Sequence, residues 1–251
     1  MSKPAFYGAL SAQEVFFYPD MALDALPERL HIDLPLDGKP GVQLLLRTGG
    51  EAIRLTLEGG GFAAEYYAMR AVPVEYNTGD GTQQGGAMVL EQRPAQKPDY
   101  ASRLAPFWVY DCLIEAPDGC IRAQDSLAAA YLCLCPDAQC RPGTYTLTLR
   151  AQCAEGEYCC ALDVRVYGVR VPQDAFPVTN WFSLDALRRL HHVVDGTPEY
   201  IAMVRKYARA MRRTHQTMFY LEFDGKACVR SREPLEFTFD DLKPLIECFL
   251  S

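Results

Sequence analysis

Two periodicities divide this chain. Up to about Tyr167, apolar residues recur at every second position, in short runs separated by Gly- and Pro-rich turns, and beyond Phe182 they recur at every third or fourth. Period two sends alternate side chains to opposite faces of a strand, and the longer spacing lines one stripe of a helix. Val42 to Leu46 is a compact apolar run. Ile53, Leu55 and Leu57 then alternate with Arg54, Thr56 and Glu58 after a turn at Gly49-Gly50. Gly59-Gly60-Gly61 breaks the pattern before Phe62 to Val74, whose Tyr66, Tyr67 and Met69 suit a strand with aromatic filling. Trp108 to Cys112 and Tyr131 to Cys135 read as buried strands. In RPGTYTLTLR, Tyr145, Leu147 and Leu149 take one face and Thr144, Thr146 and Thr148 the other; Leu162, Val164 and Val166 alternate with Asp163, Arg165 and Tyr167 to complete a hairpin. Many short strands between turn signals predict an antiparallel β-sandwich.

The grammar changes between Tyr145 and Phe182. Phe176 to Phe182 reads as a short strand, and Ser183 offers an N-cap hydroxyl to a helical turn over Leu184 to Leu190. Thr197 can cap a second helix, Glu199 to Arg213, with Pro198 suited to its first position. Ile201, Val204, Ala208 and Met211 make its buried stripe, while Arg205, Lys206, Arg209, Arg212 and Arg213 form a solvated face that also suits the negative end of the helix dipole. Thr214 to Phe223 reads as another strand, Asp224 to Thr238 as a hairpin-like insertion and Phe239 to Leu250 as a further helix. Strand, helix, strand, helix opens a parallel α/β structure. A (β/α)8 barrel needs eight such units over about 250 residues, and the 76 residues after Ala175 suffice for two. The expected fold is therefore mainly β, with a sandwich over 1–172 and an incomplete (β/α) unit over 173–251.

Charge and composition narrow the partners. A net charge of -7 and an isoelectric point near 5.2 argue against nucleic acid and acidic membranes, which call for clustered Lys and Arg. No run of about 18 apolar residues could span a bilayer, and Ser11, Gln13 and Glu14 interrupt any secretory apolar core, so a cytoplasmic location is expected. The ten cysteines contain no CxxC pair. They are expected as free, mostly buried thiols, without metal or cofactor, although Cys133 and Cys135 share one strand face. Asn77 to Gly86, NTGDGTQQGG, lacks the GK[ST] of a phosphate loop and reads as an exposed connection.

The runs PFWVYDCLIEAP, RPGTYTLTLRAQ, VRVYGVRVPQDAFPVTNWFSLDAL, EYIAMVRKYARAMRRTHQT and LEFTFDDLKPLIECFL together resemble the family 123 glycoside hydrolases, β-N-acetylgalactosaminidases and their relatives. The resemblance runs from about Pro106 to the end, and its most specific part is the PGTY strand followed by the VP, FP and NWF join. It implies an N-terminal sandwich before a (β/α)8 catalytic barrel, with Phe176 to Phe182 as barrel strand one. It also implies a retaining reaction in which the substrate's acetamide attacks the anomeric carbon, aided by an adjacent Asp-Glu pair. That pair falls beyond residue 251, so no catalytic residue is expected here and the chain reads as an inactive N-terminal fragment of an enzyme acting on an N-acetylhexosamine-containing glycan.

Barrel enzymes carry their chemistry at the C-terminal ends of strands, which singles out Asn180 and Trp181 as substrate-binding residues. An indole stacks on a sugar's apolar face, and an amide both donates to and accepts from hydroxyls. Asp240 and Asp241 read as helix-start acids, His191 and His192 as capping or packing residues, His215 as the opening of strand two, and His31 as a strand residue. The alternative reading is a non-catalytic sandwich module that binds carbohydrate or protein.

Overall fold

The computed structural model describes residues 6–13, 15–75, 77, 97, 99, 101–172, 177–179, 182–214, 216–219 and 229–250. They divide into two compact units, Met1–Arg170 and Val171–Ser251.

The alternation that predicted a hairpin sets its full register. Strands β10 (Gly143–Cys153) and β11 (Gly156–Tyr167) pair antiparallel from Gly143 opposite Val166 to Cys153 opposite Gly156, which places Leu147 across from Leu162 and Leu149 across from Cys160. All four are buried. Thr148 to Gln152 pairs with β5 (Ala52–Glu58), beyond which lies β8 (Cys120–Arg122). On the other side β11 takes β3 (Arg29–Pro35) as a parallel neighbour, Leu162 beside Leu30 and Val164 beside Ile32. This parallel pair departs from the all-antiparallel expectation. Partners more than a hundred residues apart leave no local signal of their relative direction.

The second sheet has six strands in the order β2-β1-β4-β9-β6-β7, all antiparallel. They span Asp24–Ala25, Tyr7–Ser11, Gly41–Arg47, Leu127–Pro136, Phe62–Val74 and Phe107–Glu115 respectively. Val42, Leu44, Leu46, Leu132 and Leu134 from this sheet meet Ile53, Leu55, Leu147, Leu162 and Val164 from the other in one continuous core. Two sheets closing on a shared apolar layer make a sandwich. The compact run in β4 is buried on both faces because a second apolar cluster covers the outer side of its sheet: Phe17, Leu45, Met69, Tyr110 and Ala129 meet there, with Met21 and Leu23 against them.

Strand β7 corrects one expectation. Val109 and Tyr110 are buried, but Trp108 is 55% exposed and Cys112, Leu113 and Ile114 are exposed as well. β7 is the edge strand, met on its outer side by a single bridge in which the Tyr110 N–H donates to the Phe17 carbonyl at 2.9 Å, and the register shift between Arg70 and Ala71 of β6 turns the alternation where Asp111 is passed over. Of the predicted 77–86 loop only Asn77 is described. Its side chain accepts from the N–H of Ala105 at 2.9 Å and donates to the carbonyl of Arg103 at 2.9 Å.

In the second unit the caps fall where the sequence places them. Ser183 accepts from the N–H of Ala186 at 3.2 Å ahead of α1 (Leu184–His191), and Thr197 accepts from Tyr200 at 3.3 Å ahead of α2 (Pro198–Arg213). His192 ends α1 in the left-handed region, φ 53°, its N–H donating to the Arg188 carbonyl. The insertion contains a short antiparallel pair, β12 (Val229–Arg232) and β13 (Leu235–Phe237), and the last helix is a 3₁₀ turn, Asp240–Leu242, continued as α3 (Lys243–Leu250). Leu187, Tyr200, Val204, Ala208, Cys248 and Phe249 form a separate small core. No helix among the described residues is long and apolar enough to cross a membrane.

Candidate functional site

Asn180 and Trp181, the substrate-binding candidates, lie outside the described residues, as does His215. The described neighbours on either side form no regular strand, yet they are joined. The N–H of Val178 donates to Thr217 Oγ1 at 3.0 Å, and its carbonyl accepts from the N–H groups of Thr217 and Met218, both at 3.0 Å. Gln216, 3% exposed, supports the same spot by donating from Nε2 to the Met218 carbonyl at 2.9 Å. Phe182 and Phe219 both pack on Phe249, at ring separations of 5.7 and 4.8 Å. The segment before α1 and the segment after α2 are thus side by side, the local arrangement that a strand–helix–strand unit requires.

The other polar candidates of this unit are occupied locally. Thr238 Oγ1 donates to Asp240 Oδ2 at 2.8 Å and accepts from the Asp240 N–H, which makes Asp240 part of a helix entry. His191 Nε2 sits 2.8 Å from Tyr207 Oη. Arg212 departs from the solvated face expected for it: its guanidinium donates to the Phe249 carbonyl and lies 6.0 Å from the Phe219 ring centre.

In the sandwich, the parallel pairing of β3 with β11 builds a polar concavity that no local sequence pattern marks. His31 stands beside Asp163 and Asp33 beside Arg165, while Thr146 and Thr144 flank those two from β10. Asp163 is the hub. It accepts from Arg29 and, at 3.2 Å, from Thr146 Oγ1, and His31 Nδ1 lies 3.5 Å away. The Arg29 hydrogen bond holds its carboxyl below the usual carboxylate range. Tyr167 Oη donates to Asp33 at 3.0 Å, and Arg165 lies over the Tyr167 ring at 4.8 Å. The open space over these groups is about 660 Å³. Planar guanidinium, hydroxyl and carboxylate groups on a shallow shelf suit hydroxyl-rich ligands. Asp33 and Asp163 are each already paired, so neither is poised as a general acid or base.

A third group lies on the outer face of the six-stranded sheet. One ligand-type atom each from Glu65, Cys133 and Cys135 falls within 4.8 Å of the others. Glu65 stands directly across from Cys133 in the β6–β9 register, and Tyr67 Oη donates to Glu65 Oε2 at 2.9 Å. Burial, reinforced by Cys135 and Glu65, pushes the Cys133 thiol up to about 12. The nine described cysteines are all free thiols, but only Cys140, Cys160 and Cys248 are buried, so the expectation of mostly buried thiols fails. Cys133, Cys135 and Cys159 alternate with core residues and fall on outer faces that are half covered, while Cys153 follows Leu147, Leu149 and Ala151 on the core face of β10 at its half-buried end.

No family model and no curated protein matches this chain. Among solved structures, a family 123 glycoside hydrolase from Clostridium perfringens, described for glycolipid glycan hydrolysis, aligns with a TM-score of 0.63 and 9% identity. The alignment covers 98% of this chain and 45% of that one, so the chain spans less than half the length of the enzyme. The cupredoxin domain of amoB from Nitrosocaldus yellowstonii aligns over 57% of this chain and 65% of its own at 13% identity, with a TM-score of 0.22 that carries no argument about fold. Over nearly its whole length, then, this chain shares the fold of part of a family 123 glycoside hydrolase.

Proposed function

We propose that residues 1–251 correspond to the N-terminal β-sandwich and the first two repeats of the (β/α)8 barrel of a glycoside hydrolase resembling the retaining, substrate-assisted β-N-acetylgalactosaminidases. The observation that carries this reading is a fold likeness extending over 98% of the chain, through both compact units rather than the sandwich alone. The pairing of Val178 with Thr217 and Met218 supports barrel strands one and two, with the sandwich ending near residue 172. On this reading Asn180 and Trp181 contact an N-acetylhexosamine-containing glycan, the Asp-Glu pair lies outside the 251 residues, and this chain alone does not hydrolyse glycosides. Nucleic acid and membrane are not partners, and the free thiols suit a reducing cytoplasm.

Residues 1–251 should release no aglycone from a chromogenic β-N-acetylgalactosaminide while still retaining weak affinity for N-acetylgalactosamine oligosaccharides. Trp181→Ala should weaken that affinity several-fold. Turnover by this chain, with a variant-sensitive rate, would overturn the assignment of the catalytic pair. The shelf around Asp163 and Arg165 favours a second reading, a non-catalytic carbohydrate-binding sandwich. Calorimetry separates the two: loss of glycan binding in Arg165→Ala, with Trp181→Ala unaffected, selects the binding module.

A further inference from the structure

We propose that Glu65, Cys133 and Cys135 form a zinc-class metal site on the outer face of the six-stranded sheet. Cys133 and Cys135 are two apart on β9, so strand pleating brings both sulfurs to the same face, while the core takes Leu132 and Leu134. Glu65 reaches them from the next strand because the antiparallel register sets it opposite Cys133. The three ligand-type atoms lie within 4.8 Å of one another. Tetrahedral zinc with its usual bond lengths to sulfur and oxygen requires ligand atoms about 3.5–3.8 Å apart, a closure that ordinary rotamer adjustment supplies.

The two flanks differ. Cys135 has Ala63 as its partner on β6, which leaves that side open, while Cys133 has Gly41 as its partner on β4, where the Tyr131 phenol takes the space a side chain would fill. Tyr67 fixes the Glu65 carboxylate from outside, the kind of hydrogen bond that orients a ligand and tunes its basicity. All three residues are half-buried, which permits entry of an ion and leaves a fourth position open to water. Two thiolates with one carboxylate favour zinc over calcium or magnesium, which take oxygen ligands alone. A disulfide between the two cysteines is the competing use, but the extended strand holds alternate residues about 6.6 Å apart at Cα, near the far limit for such a bridge.

The test is a cobalt(II) titration of the reduced 251-residue chain, with zinc as competitor. One equivalent should bind with thiolate-to-cobalt charge-transfer absorption and tetrahedral ligand-field bands, and zinc should displace it. Cys133→Ser and Cys135→Ser should each weaken the charge-transfer band, and the double variant should abolish it. Glu65→Gln should retain the band but bind less tightly, and Tyr67→Phe should cost about tenfold in affinity. Circular dichroism of every variant checks that the sandwich stays folded; Tyr67→Phe, which removes one hydroxyl, remains informative if a cysteine variant unfolds. An undiminished band in the double variant, or no stoichiometric binding by the parent chain, overturns the proposal.

Discussion

In the sandwich, Ala161 lies beside Arg29 and Tyr167 beside Pro35, partners from opposite ends of the unit. In the α/β unit, Tyr200, Val204 and Ala208 enter their core from successive turns of a single helix, and α1 precedes it by a short turn. The apolar chemistry is the same in both, but the sandwich assembles its core from distant segments and the α/β unit largely from near ones. Because closing long loops costs entropy before distant contacts repay it, the sandwich is expected to fold slowly and the helices quickly. The sandwich core is also the larger, so its loss should dominate the stability of the chain.

The largest effect is expected at Leu162, which is fully buried, faces Leu147 across the hairpin and lies beside Leu30 of the parallel strand. Leu162→Ala removes aliphatic carbons from a site where strands on both sides limit collapse, and should cost about 2–5 kcal/mol. Denaturant unfolding followed by the β signal measures it. A loss below about 1 kcal/mol would mean that Leu162 does not stand in the layer between the sheets, and the register of β11 would fall with it.

A smaller effect is expected in the second unit. Thr197 satisfies the Tyr200 N–H at the entry to α2, and Thr197→Ala should cost about 1 kcal/mol of helix stability. The comparison predicts a division: Thr197→Ala shifts the helical signal with little change in the sandwich, and Leu162→Ala moves the β signal most. Equal shifts of both signals in both variants would show one cooperative structure instead of two differently organised ones.

The same contrast explains what could be read from the sequence. The caps at Ser183 and Thr197, the span of α2, the hairpin from Gly143 to Tyr167 and the strand from Phe62 to Val74 are each encoded by residues a few positions apart, and all were legible. The parallel placement of β3 was not, because Arg29, His31 and Asp33 carry no mark of which strand they will meet. Both polar groupings of the sandwich depend on such encounters. Asp163 and Arg165 read as the wet face of a hairpin until β3 brings Arg29 and His31 to them, and Cys133 and Cys135 read as a pair until β6 adds Glu65. The absence of CxxC spacing was a sound local observation, but it says nothing about ligands gathered across a sheet.

The smallest and most selective effect should come from Glu155, where distant turns of the sandwich are tied together. Its carboxylate accepts from the Gly49 N–H and, at 2.9 Å, from Thr48 Oγ1, while the Thr48 N–H donates to Ser126 at 3.0 Å. Asp125 and Ser126 form the tight β8–β9 turn with positive φ of 49° and 64°. One side chain therefore links the β10–β11 turn to the β4–β5 turn and, through Thr48, to the β8–β9 turn. The Gly49 and Thr48 hydrogen bonds lower the Glu155 carboxyl to about 2 from 4.5. A carboxyl lowered in the folded state contributes stability above its unfolded value, and that contribution is lost as pH falls from about 4.5 towards 2. Solvent around the exposed side chain limits the whole effect to about 1 kcal/mol or less. Glu155→Gln should flatten the acid limb of the sandwich's unfolding curve in that window and leave the helical signal of the second unit unmoved. An unchanged acid limb would mean that the three turns hold together without this carboxylate.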